Sequence, residues 1–111
     1  MNNQSLVLRY FQSWQEPVDF EKMYDCLYIH VKIDAGIFQF NNRDDFMQFI
    51  TTNSVPWKDV VLISSIYNDT QAAILYEGIN TATNQKMRVS EHIKVENNKI
   101  THIESVITGI D

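Results

Sequence analysis

The segment from Met87 to Val95 alternates apolar and polar residues, and Glu91 occupies one of its apolar positions. Successive side chains of a strand face opposite sides of a sheet, so Glu91 points the same way as Val89 and Ile93, toward a core. An ionised carboxylate is expensive to bury, so it has to be paired, hydrogen-bonded, kept protonated or turned toward a cavity. Most of these arrangements suit a binding or catalytic pocket. The alternative is a shifted register or a solvated strand end.

The length and composition predict a single globular domain spanning residues 1–111. A chain of 111 residues is long enough to bury a core and short for two domains. Its 44% hydrophobic and 21% charged residues are typical of a folded protein. A net charge of -5 and scattered basic residues disfavour binding to nucleic acid.

The N-terminal residues and the cysteine content predict the compartment. Residues 1–5 lack the basic and apolar blocks of a signal peptide, and no apolar run is long enough to cross a bilayer. Cys26 is the only cysteine, which excludes an intramolecular disulfide and favours a small buried side chain. We therefore expect a cytosolic protein that does not bind membranes.

The first half of the chain predicts two helices. Apolar residues recur at helical spacing before Pro17, which ends the first helix. Asp19 is placed to cap a second helix from Phe20 to about Leu27. The first helix presents a wide apolar face to the core, formed by Leu6, Val7, Tyr10, Phe11 and Trp14.

A short strand and a third helix are predicted next. Residues alternate from Tyr28 to Ala35, as expected of a strand, and Gly36 follows in a turn. Asn42 can cap a helix from Arg43 to about Thr51. The buried edge of this helix is predicted to consist of Phe46, Phe49 and Ile50.

Three tight turns divide the rest of the chain into four long strands. Asn68-Asp69, Thr83-Asn84 and Asn97-Asn98 each lie between β-rich segments. The strands run approximately from Asp59 to Tyr67, Gln71 to Thr81, Lys86 to Glu96 and Lys99 to Ile107, and we expect an antiparallel meander. Long strands twist and coil, so this predicts an α+β fold in which a cone-shaped, curved antiparallel sheet, with the short strand at its margin, and three helices enclose an apolar pocket.

Both the order of these elements and three local motifs resemble the nuclear transport factor 2-like superfamily, in its SnoaL-like and ketosteroid-isomerase-like branch. Residues 7–14 (VLRYFQSW) resemble its first helix, and residues 18–23 (VDFEKM) resemble its acid-capped second helix. Residues 91–100 (EHIKVENNKI) resemble its acidic-x-aromatic-basic-apolar strand and the following turn. The resemblance covers nearly the whole chain and implies its fold, whereas this fold supports many unrelated activities.

The resemblance to ketosteroid isomerase implies three catalytic residues. Tyr10 matches a phenol that donates to the substrate oxygen, Glu91 matches the acid beside it, and Asp34 matches the carboxylate that moves the proton. Such a reaction requires a base and preorganised donors for the developing enolate. The residues expected to line the ligand site are Trp14, Phe46, Phe49, Tyr76, Val89 and Ile93.

Each catalytic candidate has a structural alternative. Strict alternation places Asp34 on the face of Lys32, away from the pocket, unless the strand ends or bulges before it. The family often has an Asp-Pro or Gly-rich loop here, which this chain lacks. Tyr10 could be a core phenol bonded to a backbone carbonyl or to Glu91. Glu91 is one methylene longer than the Asp that is more usual at its position.

We expect no metal and no cofactor. The three histidines, His30, His92 and His102, form no pattern of metal ligands, and three glycines supply no phosphate-binding loop. The sequence therefore favours a protein that binds a hydrophobic small molecule and isomerises, cyclises or hydrates it by acid-base chemistry. The alternative is a non-catalytic dimeric module for ligand binding or protein interaction. A homodimer through the uncovered sheet face is expected in either case.

Overall fold

The computed structural model describes residues 3–53 and 57–110. Within these ranges the chain forms three helices and six strands, in an order that matches the predicted succession of helices and long strands. The elements are α1 (Asn3–Ser13), α2 (Phe20–Cys26), β1 (Leu27–Asp34), β2 (Gln39–Phe40), α3 (Arg43–Asn53), β3 (Trp57–Tyr67), β4 (Gln71–Asn80), β5 (Gln85–Glu96) and β6 (Lys99–Gly109).

The described strands form one curved, unclosed sheet with the order β2-β1-β6-β5-β4-β3. The antiparallel meander of β3 to β6 is confirmed. The expectation of a wholly antiparallel sheet was wrong, because β1 pairs in parallel with β6, with Ile33 beside Ile103. A second difference is the two-residue strand β2, which turns back on β1. After the three hairpins of the meander, β6 lies beside β1 and runs in the same direction. The parallel pairing of β1 with β6 is therefore set by the path of the chain and not by local sequence.

The predicted caps of α2 and α3 are present. The Asp19 side chain accepts a hydrogen bond from the Lys22 amide at 2.9 Å. The Asn42 side chain accepts from the Asp45 amide at 2.8 Å and donates to the Asp45 carboxylate at 2.9 Å. These bonds satisfy amides that the helix leaves unpaired.

The predicted turns also adopt the expected backbone. Asn84, Asn97 and Asn98 have φ angles of 57°, 51° and 61°, the left-handed region that asparagine tolerates. The Asn68 side chain accepts from the amides of the two residues that close its own turn. Local sequence therefore fixes all three hairpin connections.

The core lies between the helices and one face of the sheet. On β5 the alternation is regular, and Val89, Glu91, Ile93 and Val95 are all buried. In β1 the alternation fails at one predicted inward residue: Ile29 is 46% exposed, and the pairing of β1 with β6 shifts register between Leu27 and Lys32. No helix in the described ranges is long and apolar enough to span a membrane.

Candidate functional site

A cavity of about 170 Å³ lies between the helices and the inner face of the sheet. Aromatic side chains dominate its wall. It opens to solvent beside Phe38 and Ile107, since these lining residues are 44% and 48% exposed. The other lining residues are Tyr10, Phe11, Trp14, Gln15, Ile33, Ala35, Phe40, Phe46, Phe49, Ile50, Trp57, Val60, Tyr76, Val89, Glu91, Ile103 and Ser105.

Glu91 lies at the polar end of this cavity between two hydroxyl groups. The Tyr76 hydroxyl donates to Oε1 of Glu91 at 3.0 Å, and the Ser105 hydroxyl donates to Oε2 at 2.6 Å. Ser105 on β6 is the direct cross-strand partner of Glu91, while Tyr76 on β4 lies diagonally opposite. Each carboxylate oxygen is thus held by a donor from a neighbouring strand.

Burial is the main influence on the protonation of Glu91. The residue is 5% exposed, and loss of solvation raises the pKa of its carboxyl above the ordinary 4.5. The hydrogen bonds from Ser105 and Tyr76 act in the opposite direction and lower the pKa. None of the ion pairs in the described ranges involves Glu91. The carboxyl can therefore exchange a proton closer to neutral pH than an exposed glutamate.

Two phenols flank this carboxyl and remain protonated at neutral pH. Burial, reinforced by the negative charge of Glu91, raises the pKa of Tyr10 and of Tyr76 well above 10.0. A hydrogen bond from the Trp14 indole to the Tyr10 oxygen acts in the opposite direction. The Tyr10 hydroxyl proton has no acceptor in the part of the chain that the structure describes. It is therefore available to a ligand in the cavity.

The structure brings most of the predicted site residues together. Tyr10, Trp14, Phe46, Phe49, Tyr76, Val89 and Glu91 all line the cavity.

The expected hydrogen bond between Tyr10 and Glu91 is not formed. The phenol that donates to Glu91 is that of Tyr76, and Glu91 acts on Tyr10 through its charge. Ile93, predicted as a ligand contact, is 1% exposed and lies in the packed core outside the cavity wall. It is two residues, about 7 Å, further along β5 than Glu91, where other core side chains fill the interior.

Asp34 lies outside the cavity. Its neighbours Val31 and Ile33 are buried, whereas Lys32 and Asp34 are exposed on the opposite face of β1. The Asp34 carboxylate accepts a hydrogen bond from the Gly36 amide at 3.0 Å and stabilises the turn into β2. No strand bulge follows Ile33, so the alternation that argued against a pocket position holds.

Ser105, the second donor to Glu91, was not predicted from the sequence. The signal was present, because Ile103, Ser105 and Ile107 alternate on the inner face of β6. A hydroxyl between two branched apolar residues indicates a polar partner on the same face. The cross-strand register that identifies this partner as Glu91 is not encoded locally.

No three His, Cys, Asp or Glu residues in ranges 3–53 and 57–110 lie close enough together to hold a metal ion. His92 and His102 are exposed on the outer face, where their cross-strand partners are Glu104 and Lys94.

No family model matches this sequence, and no curated protein matches it. Solved structures do match. A nuclear transport factor 2-like protein of unknown function from Cytophaga hutchinsonii has a TM-score of 0.81 at 11% identity, covering 97% of this chain and 91% of its own. The chain has the nuclear transport factor 2-like fold.

Other proteins with this nuclear transport factor 2-like fold carry names of enzymes. A candidate ketosteroid isomerase from Kribbella flavida has a TM-score of 0.82 at 12% identity, covering 96% of this chain and 78% of its own. An LEH-like epoxide hydrolase from M. tuberculosis has a TM-score of 0.79 at 12% identity, covering 94% and 80%. At these identities the likeness extends to the fold, and the activity has to be argued from the cavity.

Proposed function

We propose that this protein binds a hydrophobic small molecule in the cavity and moves a proton on it by acid-base chemistry without a cofactor, as an isomerase, cyclase or hydratase. The observation that carries the proposal is Glu91, a buried carboxyl held by two hydroxyls at the polar end of an aromatic cavity. Buried acids with a raised pKa are common at sites of proton transfer. The isomerase and hydrolase names of proteins with the same fold support the reaction class.

The geometry favours a ligand with a carbonyl oxygen. In the ionised form, Glu91 takes a proton from the carbon beside the carbonyl, and the electron pair of that C–H bond moves onto the carbonyl oxygen as an enolate. Tyr10 stabilises the oxygen by donating its free proton. Glu91 then returns the proton to the same or another carbon, so the reaction is balanced without an oxidant or a second base.

Glu91 has both proton-transfer roles in this proposal, because it is the only carboxylate among the described residues that line the cavity. Asp34, the residue that the family resemblance suggests as the base, faces solvent instead. Tyr76 and Ser105 are positioning residues, since they act by orienting the carboxyl.

Exchange of α-protons in a panel of ketones tests the proposal. The wild type should bind at least one ketone and accelerate exchange of its α-protons with D₂O, as followed by NMR. Glu91→Gln should keep the fold and lose the exchange, because an amide cannot accept and return the proton. Glu77→Gln, on the adjacent strand and outer face, is the matched control and should retain exchange. Failure of the wild type to bind any ketone, or equal exchange by Glu91→Gln, contradicts the proposal.

The alternative function, a dimeric binding or interaction module without turnover, is favoured by the outer face of the sheet. Val61, Ile66 and Val106 are 61%, 69% and 70% exposed there. The half-buried Leu75 on β4 faces the same side, with Ser90 on β5 between it and Val106, and we call these four apolar residues the outer stripe. We propose that a second copy covers this stripe in a homodimer, whether or not the cavity is catalytic.

A cytosolic location is part of the proposal and rests on the free, buried thiol of Cys26.

A further inference from the structure

The size of the cavity limits the class of ligand. An apolar cavity of about 150 Å³ holds one benzene ring, and the cavity here is about 170 Å³. It therefore has room for one six-membered ring with a short substituent. Four fused rings would have to leave most of their surface outside it.

The walls of the cavity resist expansion because they are aromatic rings packed on one another. Phe40 contacts Phe46 at 5.4 Å and Phe49 at 5.4 Å between ring centroids, on the helical side. Trp57 contacts Tyr76 at 6.4 Å on the sheet side. Packed interiors yield little to an added group, so enlarging the cavity would require separating these pairs.

The hydroxyl and carboxyl groups of the cavity wall form one polar cluster. Tyr76 and Ser105 are hydrogen-bonded to Glu91, and Tyr10 is the third hydroxyl of the lining. Gln15 adds an amide beside Trp57, whereas Phe38 and Ile107 at the opening are apolar. A ligand that matches the polar cluster and the apolar opening has one oxygen on an otherwise apolar ring. Its oxygen lies innermost, and its apolar part faces the opening.

From the volume, the aromatic walls and the polar cluster around Glu91, we propose that the ligand is a single-ring ketone or enone, bound with its oxygen toward Tyr10. This inference rests on the proposed function and specifies its substrate class. A larger ligand gains no affinity from its second ring onward, because the added rings lie outside the cavity.

A series of probes that differ in ring number tests the inference by calorimetry and NMR. Acetophenone should bind, and 1-tetralone and a four-ring steroid enone should each bind within about threefold of it, because their added rings lie outside the cavity. Ethylbenzene, which lacks the oxygen, should also bind more weakly than acetophenone, and Tyr10→Phe should remove this difference.

A matched pair of variants ties these effects to the cavity. Val89→Met adds volume to the cavity wall and should weaken acetophenone binding by about tenfold. Val106→Met, one strand away on the outer face, should leave it unchanged, and circular dichroism confirms that both variants are folded.

The outcomes separate the two proposals. Tighter binding of the steroid enone than of acetophenone overturns the single-ring inference and supports the proposed function. Equal binding of ethylbenzene and acetophenone overturns the requirement for an oxygen. If no compound of the series binds, the proposed function fails, and the inference fails with it.

Discussion

The Tyr76 hydroxyl donates to Oε1 of Glu91 at 3.0 Å, from one strand of the meander to the next. The pair is completed by Ser105 on the third strand, whose hydroxyl holds the other carboxylate oxygen at 2.6 Å. Three consecutive strands therefore hold one buried carboxyl, and its pKa depends on the balance between burial and two donors.

Removing either donor should raise the pKa of Glu91 further. Tyr76→Phe and Ser105→Ala each delete a hydrogen bond that favours the ionised form, while burial is retained. A titration of the Glu91 side-chain carbon by ¹³C NMR measures the shift. Ser90→Ala, whose side chain is exposed on the outer face next to Glu91, is the control and should leave the pKa unchanged. An unshifted pKa in both donor variants would show that the two bonds do not act on the carboxyl in solution.

Glu91 should make the protein less stable as the pH rises. Its folded-state pKa lies above the ordinary 4.5, so the favourable contribution is present below pH 4.5 and is lost as the pH rises through the folded-state pKa. Glu91→Gln removes this dependence. The free energy of unfolding of Glu91→Gln, relative to wild type, should therefore increase between pH 4.5 and neutral pH. Urea denaturation across this range measures the difference, and a constant difference would contradict the prediction.

Glu77 on the adjacent strand should show the opposite dependence. Hydrogen bonds from Arg88, at 2.9 and 2.7 Å, lower the pKa of its carboxyl, and Lys86 adds to the effect. Its contribution to stability is present above pH 4.5 and is lost as the pH falls through the lowered pKa. Glu77→Gln should therefore lose stability relative to wild type at neutral pH and approach it in acid. From pH 3 to pH 7, the denaturation midpoint of Glu91→Gln relative to wild type should rise. The midpoint of Glu77→Gln relative to wild type should fall over the same range.

Local sequence was sufficient to predict the elements and the inward position of Glu91. Helix caps such as Asp19 and turn residues such as Asn97 act through bonds to residues at most a few positions away. Alternation likewise depends only on neighbours in one strand, and it placed Asp34 outside and Val89 inside correctly.

The two hydrogen bonds to Glu91 could not be predicted from local sequence, because they depend on the register between strands. Tyr76 and Ser105 reach Glu91 because β4, β5 and β6 pair in one alignment, and a shift of one residue would turn them to the outer face. Tyr10, by contrast, approaches from a helix whose rotation against the sheet is set by packing of the whole core. The parallel pairing of β1 with β6 is also nonlocal, since it joins residues about 70 positions apart.

Gly78 should be intolerant of a side chain because it lies against the cavity wall. A Cβ there would be 3.0 Å from Cε3 of Trp57 and 3.1 Å from Cγ2 of Val60. Overpacking costs about 1–3 kcal/mol, more than the gain of about 0.4–1 kcal/mol from restricting the unfolded chain. Gly78→Ala should therefore lower the free energy of unfolding by about 1 kcal/mol. Gly109→Ala is the control: its Cβ meets the end of the flexible Gln85 side chain, which can turn away, so the expected change is small.

A charge on the outer apolar stripe should dissociate the proposed homodimer. Ile66 on β3 and Val106 on β6 are exposed on the same face, and a lysine there would be buried without a partner if a second copy covers the stripe. Ile66→Lys combined with Val106→Lys should therefore give a monomer by light scattering, at concentrations where the wild type is a dimer. Ile37→Lys provides the control for an added lysine, because Ile37 is 89% exposed in the turn between β1 and β2 and is not one of the stripe residues. A wild type that is monomeric, or a dimer that survives both lysines, would contradict this interface.

In the monomeric variant, the affinity for acetophenone should be unchanged. The residues that line the cavity belong to a single copy and lie on the inner face of the sheet and on the helices, away from the outer face.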